Sequence, residues 1–194
     1  MEHRKFSIGI VTGSLRKASL SLQMAKWIIQ FNDLYDYEII IVNNIPIYNE
    51  DLDTDSPPYE WKNLRKTIKE KDAVLFITPE YNRSVPAVLK NVIDVASAPH
   101  NQNVFDRKPA AIISLSPGKM GAFGANHHLR QSLVFLNMPV MQQPEAYIGE
   151  SEKLFTGDGA ISKKATEDFL IKFMEEFHKW IIIHLHTDNI IQKA

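Results

Sequence analysis

Cysteine is absent from the 194 residues, which excludes disulfides, thiolate metal sites and a cysteine nucleophile. An excess of either charge is also missing: 22 Lys and Arg face 23 Asp and Glu, a formal net charge of −1. That balance leaves no electrostatic footprint for nucleic acid or for an anionic membrane surface. Long apolar runs are lacking as well. The strongest, residues 73–77 and 180–183, fall far short of the ~20 residues that span a bilayer. The N-terminus opens into a strand-like run with no signal-peptide core, and no repeat, low-complexity tract or linker divides the chain. A soluble, cytoplasmic protein with one domain over 1–194 is expected, without membrane or nucleic-acid partners. With 44% apolar residues and a length at which roughly 70% of the unfolded surface is buried, a core forms without staples.

What is present is an alternation of short apolar strands with amphipathic helices. Phe6-Ser7-Ile8-Gly9-Ile10-Val11 is a strand stopped by Gly13, and from Ser19 the residues Leu20, Met24, Trp27, Ile28 and Phe31 recur at helical spacing. Residues 38–42 form a β-branched run ending in Asn43-Asn44. After Pro57-Pro58, residues 59–71 read as an exposed helix with Trp61, Leu64 and Ile68 inward. Ala73–Thr78 is a third strand cut by Pro79, and Pro86 begins a helix carrying Val88, Leu89, Val92, Ile93 and Ala96. Ala110–Leu115 is the fourth strand, 121–137 a glycine-led helix, and Val140-Met141 the core of a fifth strand. A last helix is expected over 162–184, with 187–194 fraying. Continuous Val/Ile/Leu strands are buried on both faces, and the helices between them require right-handed crossovers. The spacing therefore predicts an α/β fold: a three-layer, doubly wound, five-stranded parallel sheet. Its ligand belongs at the carboxyl ends of the strands, in the loops after strands one, three and four.

The first of these loops, Thr12-Gly13-Ser14-Leu15-Arg16-Lys17-Ala18-Ser19, suits a phosphate. Gly13 permits a tight turn, Ser14 and Ser19 offer hydroxyls, Arg16 supplies a charged fork, and the first-turn amides of the helix have no internal partners. The alternative is that Ser19 caps the helix while Arg16 and Lys17 are merely solvated. The spacing matches neither the P-loop nor GxGxxG. The second loop, Pro79-Glu80-Tyr81-Asn82-Arg83-Ser84-Val85-Pro86, is stiffened by two prolines and presents amides, Tyr81 and Asn82 to a flat ring system, or is a turn with a surface Tyr. In the third, Gly118, Gly121 and Gly124 admit a backbone close to a ligand, or serve turn and helix packing.

These three segments in order, extended through Ala87-Val88-Leu89-Lys90-Asn91-Val92-Ile93-Asp94 and joined by Ser116-Pro117-Gly118-Lys119-Met120-Gly121, resemble the NADPH-dependent FMN reductase family. The resemblance runs over about 6–177 and takes in residues 46–52 and His128-Leu129-Arg130. It implies a flavodoxin-like sheet of order 2-1-3-4-5 binding FMN, with NADPH or NADH as co-substrate. It places Ser14, Arg16 and Ser19 on the phosphate. At the next two positions family members often carry an aromatic residue and Asn, where this chain has Leu20 and Ser21. Pro79, Glu80, Tyr81 and Asn82 would line the isoalloxazine and ribityl groups, and Ser116 with Gly118 the pyrimidine end. The implied acceptors are quinones, azo dyes, free flavin or metal oxyanions, reached by ping-pong transfer of hydride. The implied assembly is a homodimer, with a tetramer as the larger option. A flavodoxin-like electron carrier and a redox-sensing partner protein are the competing classes.

No side chain is assigned to the chemistry, because the flavin carries it. Glu80 is expected to bond backbone or solvent rather than to act as an acid. Adjacent His127 and His128 point about 100° apart on a helix and cannot share a metal. His128 is expected near the flavin loop or an interface. Ser116 lacks the surrounding GxSxG of a hydrolase elbow.

Overall fold

The computed structural model describes residues 5–31 and 35–191, with backbone alone at 31 and from 186 onward. Strands β3 (Ala73–Thr78) and β4 (Ala110–Leu115) are buried at every residue, and β1 (Phe6–Thr12) at all but its first two. Strands covered on both faces require helices above and below, and the chain supplies them between strands. With β2 (Tyr35–Ile40) and β5 (Ala146–Ile148) at the edges, the sheet order is β2-β1-β3-β4-β5, and every pairing is parallel. This is the flavodoxin-like order that the resemblance implied.

Helices α1 (Leu20–Phe31) and α5 (Lys164–Ile191) cover one face, while α2 (Tyr59–Lys69), α3 (Ala87–Ser97) and α4 (Phe123–Phe135) cover the other. The strands divide their side chains between these layers with period two. Ile8, Ile10, Leu75, Ile77 and Ile113 meet Met24, Ile28, Phe173 and Phe177. Val11, Val74, Phe76 and Ile112 meet Trp61, Leu89, Val92, Leu129 and Leu133. Each large apolar side chain so buried contributes about 1.5–3 kcal/mol. On α2, Trp61 is fully buried and donates its Nε1–H to Pro46 O at 2.9 Å. Arg65 forks onto both Asp53 oxygens and also donates to Val95 O. These contacts anchor the 45–53 stretch, where Tyr48 packs on Trp61 while Ile47 and Leu52 are exposed.

Four elements depart from expectation. The second strand begins at Tyr35, not at residue 38, because Tyr35, Asp36 and Tyr37 continue the register with Phe6, Ser7 and Ile8. The fifth strand is Ala146–Ile148, and Val140-Met141 is not its core. Val140 forms only an isolated bridge with Ala110, after which the polar, proline-containing segment 142–145 carries the chain along the edge before pairing resumes at Ile113. Helix α4 starts at Phe123, since Gly121 (φ 57°) and Ala122 (φ 61°) are left-handed. Helix α5 runs to Ile191, so residues 187–191 are helical rather than frayed, and 192–194 lie outside the described residues.

Candidate functional site

The loops after β1, β3 and β4 converge at the carboxyl ends of the strands around a cleft of ≈ 200 Å³. Ser14, Arg16, Ser19, Leu20, Ser21, Pro79, Glu80, Tyr81 and Ser116 all line it, joined by Leu115, Pro117 and Ser151. Of the residues that the resemblance placed at the cofactor, Asn82 and Gly118 are the two that do not.

The first loop is pressed against β3. Gly13 N–H donates to Ile77 O at 2.8 Å, and a Cβ at Gly13 would lie 2.8 Å from Thr78 Oγ1 and 3.2 Å from Pro79 Cδ. Only glycine allows that approach. Ser19 caps α1 by accepting from Leu22 N–H at 3.1 Å, yet it also lines the cleft, so the capping and the ligand-facing readings both hold. The Ser19 hydroxyl retains its own proton for donation. The N–H groups of Leu20 and Ser21, in the first turn, have no carbonyl four residues back within the helix.

The second loop folds back on itself. Tyr81 and Ser84 exchange both backbone hydrogen bonds at 3.0 Å, and the two residues between them, Asn82 (φ 51°) and Arg83 (φ 64°), are left-handed, as a type I′ turn requires. That geometry puts Asn82 at an exposed tip. Glu80 turns the other way: its Oε2 accepts from Ala125 N–H at 3.0 Å. Helix α4 has Ala122 at its N-cap, with no side-chain oxygen of its own, and Glu80 supplies one from the neighbouring loop. The fit is close, since a Cβ at Gly124 would lie 2.8 Å from Glu80 Oε2. Arg83 is only 3.5 Å from Glu80 Oε1 and is 80% exposed. His128 sits against this loop, with Nδ1 2.8 Å from Ser84 Oγ.

In the third loop, Ser116 Oγ accepts from Ala122 N–H at 3.1 Å and donates to Gly118 O at 3.2 Å. Gly118 is exposed with open space about it, so its role is in its carbonyl, which also accepts from Glu150 N–H. Beneath lies a buried polar chain. Ser114 Oγ contacts Gly121 O and accepts from Asn126 Nδ2, while Asn126 Oδ1 accepts from Arg130 Nε. Beside the loop, Phe123, His127 and Tyr147 form a ring cluster. Burial, and then the Glu145 carboxylate, push the Tyr147 phenol up to about 12.

Ser151 is the polar cleft residue that sequence reasoning missed. It stands in a short turn after β5, in no recognisable motif, and the expected fifth strand lay too early to direct attention there. Two hydroxyls in the cleft, Ser21 Oγ and Ser151 Oγ, are buried without a hydrogen-bond partner. Such groups are costly in an apolar interior, and a polar ligand entering the cleft would complete them. A cationic fork at Arg16, helix-start amides, unpaired hydroxyls and the Pro79 and Tyr81 walls fit a ligand with a phosphate, hydroxyls and a flat ring.

A doubly wound flavodoxin-like domain with such a cleft at its strand ends belongs to the mononucleotide-binding α/β proteins. The sequence matches the NADPH-dependent FMN reductase family over residues 6–153, and the chain belongs to that family. It is accordingly an NAD(P)H-dependent flavoprotein oxidoreductase with FMN as its cofactor. A quinone reductase of Pseudomonas putida is 47% identical over 177 residues, covering 91% of this chain and 95% of the relative. A 2-hydroxy-1,4-benzoquinone reductase of a Burkholderia species is 36% identical over 90% of this chain and 95% of its own. Among solved structures, the flavoenzyme NAD(P)H:(acceptor) oxidoreductase FerB of Paracoccus denitrificans superposes with a TM-score of 0.87 at 37% identity, covering 92% of this chain and 98% of that one.

Proposed function

We propose that this enzyme reduces quinones with NAD(P)H, taking donor and acceptor in turn at one open cleft, and that its single domain works as a homodimer. The observation that carries the reading is the convergence of three strand-end loops on a cleft containing two unpaired buried hydroxyls. The quinone acceptor is supported by the names of the Pseudomonas and Burkholderia relatives. Azo dyes, free flavin and metal oxyanions are the further acceptors to screen. The pyridine-nucleotide co-substrate supports a cytoplasmic place of action, and no helix among the described residues is long and apolar enough to cross a membrane.

Bound FMN supplies the hydride exchange with NAD(P)H and with the acceptor. The chain's residues position it. The Arg16 guanidinium and the N–H groups of Leu20 and Ser21, all at the cleft, would hold its phosphate, and the Ser14 and Ser19 hydroxyls would donate to it. Ser19 is held in place by the bond that Leu22 N–H makes to it. Glu80, fixed on the start of α4, holds its loop so that Pro79 and Tyr81 wall the ring end. With one Glu80 oxygen occupied by Ala125 N–H, that carboxylate is an anchor and no proton donor is required of it. Ser116 is likewise engaged at both its donor and an acceptor position, and borders the site without reacting.

A second, ≈ 800 Å³ groove between α3 and α4, lined in part by Ala87, Ile93, His128 and Phe135, supports the homodimer. Phe135 is 89% exposed and Val134 70% at the end of α4, an apolar edge suited to a second copy. Phe135→Glu is expected to shift the mass in solution from dimer to monomer by light scattering.

The central test is an anaerobic visible spectrum of the protein with FMN. NADPH should bleach the flavin band and a quinone should restore it, with parallel initial-rate lines. Flavin that NADPH leaves oxidised would indicate a carrier or sensor, and intersecting lines would overturn the alternating order.

A further inference from the structure

Ser151 is 1% exposed, lines the cleft, and has no hydrogen-bond partner for its Oγ. Its position is fixed by the backbone: Ser151 N–H donates to Ser116 O at 3.1 Å, and Ser151 O accepts from Leu154 N–H at 3.2 Å. The hydroxyl is therefore held without a role in the fold. The other unpaired hydroxyl, Ser21 Oγ, stands in the first turn of α1 near the cation and amides that suit an anion. Ser151 is tied to the third loop through Ser116 O, and the residues of that loop that line the cleft, Leu115, Ser116 and Pro117, carry no cation. A lone neutral hydroxyl there matches an uncharged oxygen or nitrogen of the ligand, able to donate or accept as that atom requires.

We propose that Ser151 is a cofactor-contacting residue whose hydroxyl hydrogen-bonds an uncharged polar atom of bound FMN. This inference rests on the reading that FMN occupies the cleft. A hydroxyl unpaired in the apo-protein adds no stability there, and contributes its hydrogen bond once the ligand arrives.

The experiment titrates apo-protein, wild type and Ser151→Ala, with FMN and separately with riboflavin, following flavin fluorescence, and melts each apo-protein. Ser151→Ala should weaken FMN and riboflavin alike by about tenfold. Its apo melting temperature should stay equal to wild type or rise. Ser21→Ala, at the anion end, should weaken FMN more than riboflavin. With wild-type protein binding both flavins, four results would overturn the assignment of Ser151. They are unchanged flavin affinity in Ser151→Ala, a loss confined to FMN, a fall in the apo melting temperature that accounts for the weaker binding, or Ser21→Ala losing riboflavin and FMN equally, which removes the division of the cleft into two ends. Wild-type protein that binds neither flavin overturns the FMN reading and this assignment with it. Wild-type binding that Ser151→Ala reproduces overturns the assignment alone.

Discussion

Replacing Glu80 separates an anchoring role from an acid role. In Glu80→Ala, Ala125 N–H, on a fully buried residue at the start of α4, loses its acceptor. The Glu80 side chain is 13% exposed, so water does little to screen or replace the bond. A hydrogen bond to a charged group contributes about 1.5–3 kcal/mol, and a carboxylate at a helix N-terminus about 0.3–1 kcal/mol. The exposed Arg83 contact adds nothing measurable. The expected loss is about 2–4 kcal/mol from these two contributions. For a chain of this length each kcal/mol moves Tm by about 2–4 °C, so the apo-protein should melt about 4–16 °C lower. Glu80→Gln keeps an acceptor oxygen and should recover about half of that. Differential scanning calorimetry of both variants, with steady-state quinone reduction below the transition, gives the readout. An Ala variant that melts with wild type would refute the anchor. A Gln variant that folds but loses turnover by about 10²–10⁴, the scale of a general acid, would refute the claim that the carboxylate takes no part in proton transfer.

Gly13→Ala drives a Cβ to 2.8 Å from Thr78 Oγ1 and 3.3 Å from Thr78 Cα, so the first loop must move off β3. FMN affinity should fall by about five- to 150-fold by fluorescence titration for about 1–3 kcal/mol of overpacking strain. Arg16→Ala should weaken FMN by about tenfold and leave riboflavin unaffected, since its partner is the phosphate; equal losses would place Arg16 elsewhere. Burial holds Tyr147 protonated up to about 12 in the fold against 10.0 for the free side chain, so the stability it contributes is present below pH 10 and lost as the pH rises from 10 to 12. Buried Tyr35 shifts in the same direction. Tyr147→Phe should flatten the fall in Tm across that window, and an unchanged profile would remove Tyr147 as its source.

Much of the cleft was legible because its residues sit in loops tied directly to strands that announce themselves. Ala73–Thr78 and Ala110–Leu115 are largely apolar runs, the first ended by Pro79 and the second set between Pro109 and Ser116, and their edges coincide with the observed strands. A loop that begins at a known strand end in a parallel sheet has a known place, so the convergence of Ser14, Glu80 and Ser116 follows from local pattern and handedness alone. The resemblance to a family then identified what the convergence was for.

Tertiary structure decided what no local pattern encodes. Three residues of β5 are too few for a period to show, and their place was set by pairing with Ile113, Ser114 and Leu115. Pairing also extended β2 back to Tyr35, beyond its β-branched core. Glu80 reads as a loop carboxylate until α4, 45 residues on, delivers Ala125 N–H to it. A backbone bond from Ser151 to the distant Ser116 brought Ser151 into the cleft, whereas Asn82 was carried outward by a local left-handed turn closed by Tyr81 and Ser84. Sequence by itself determined the elements and the edge of the sheet where chemistry belongs, since apolar periodicity is a local property. Which side chains face one another across that edge, and which hydroxyls are left unpaired, depended on contacts between distant segments that only the assembled fold brings within reach.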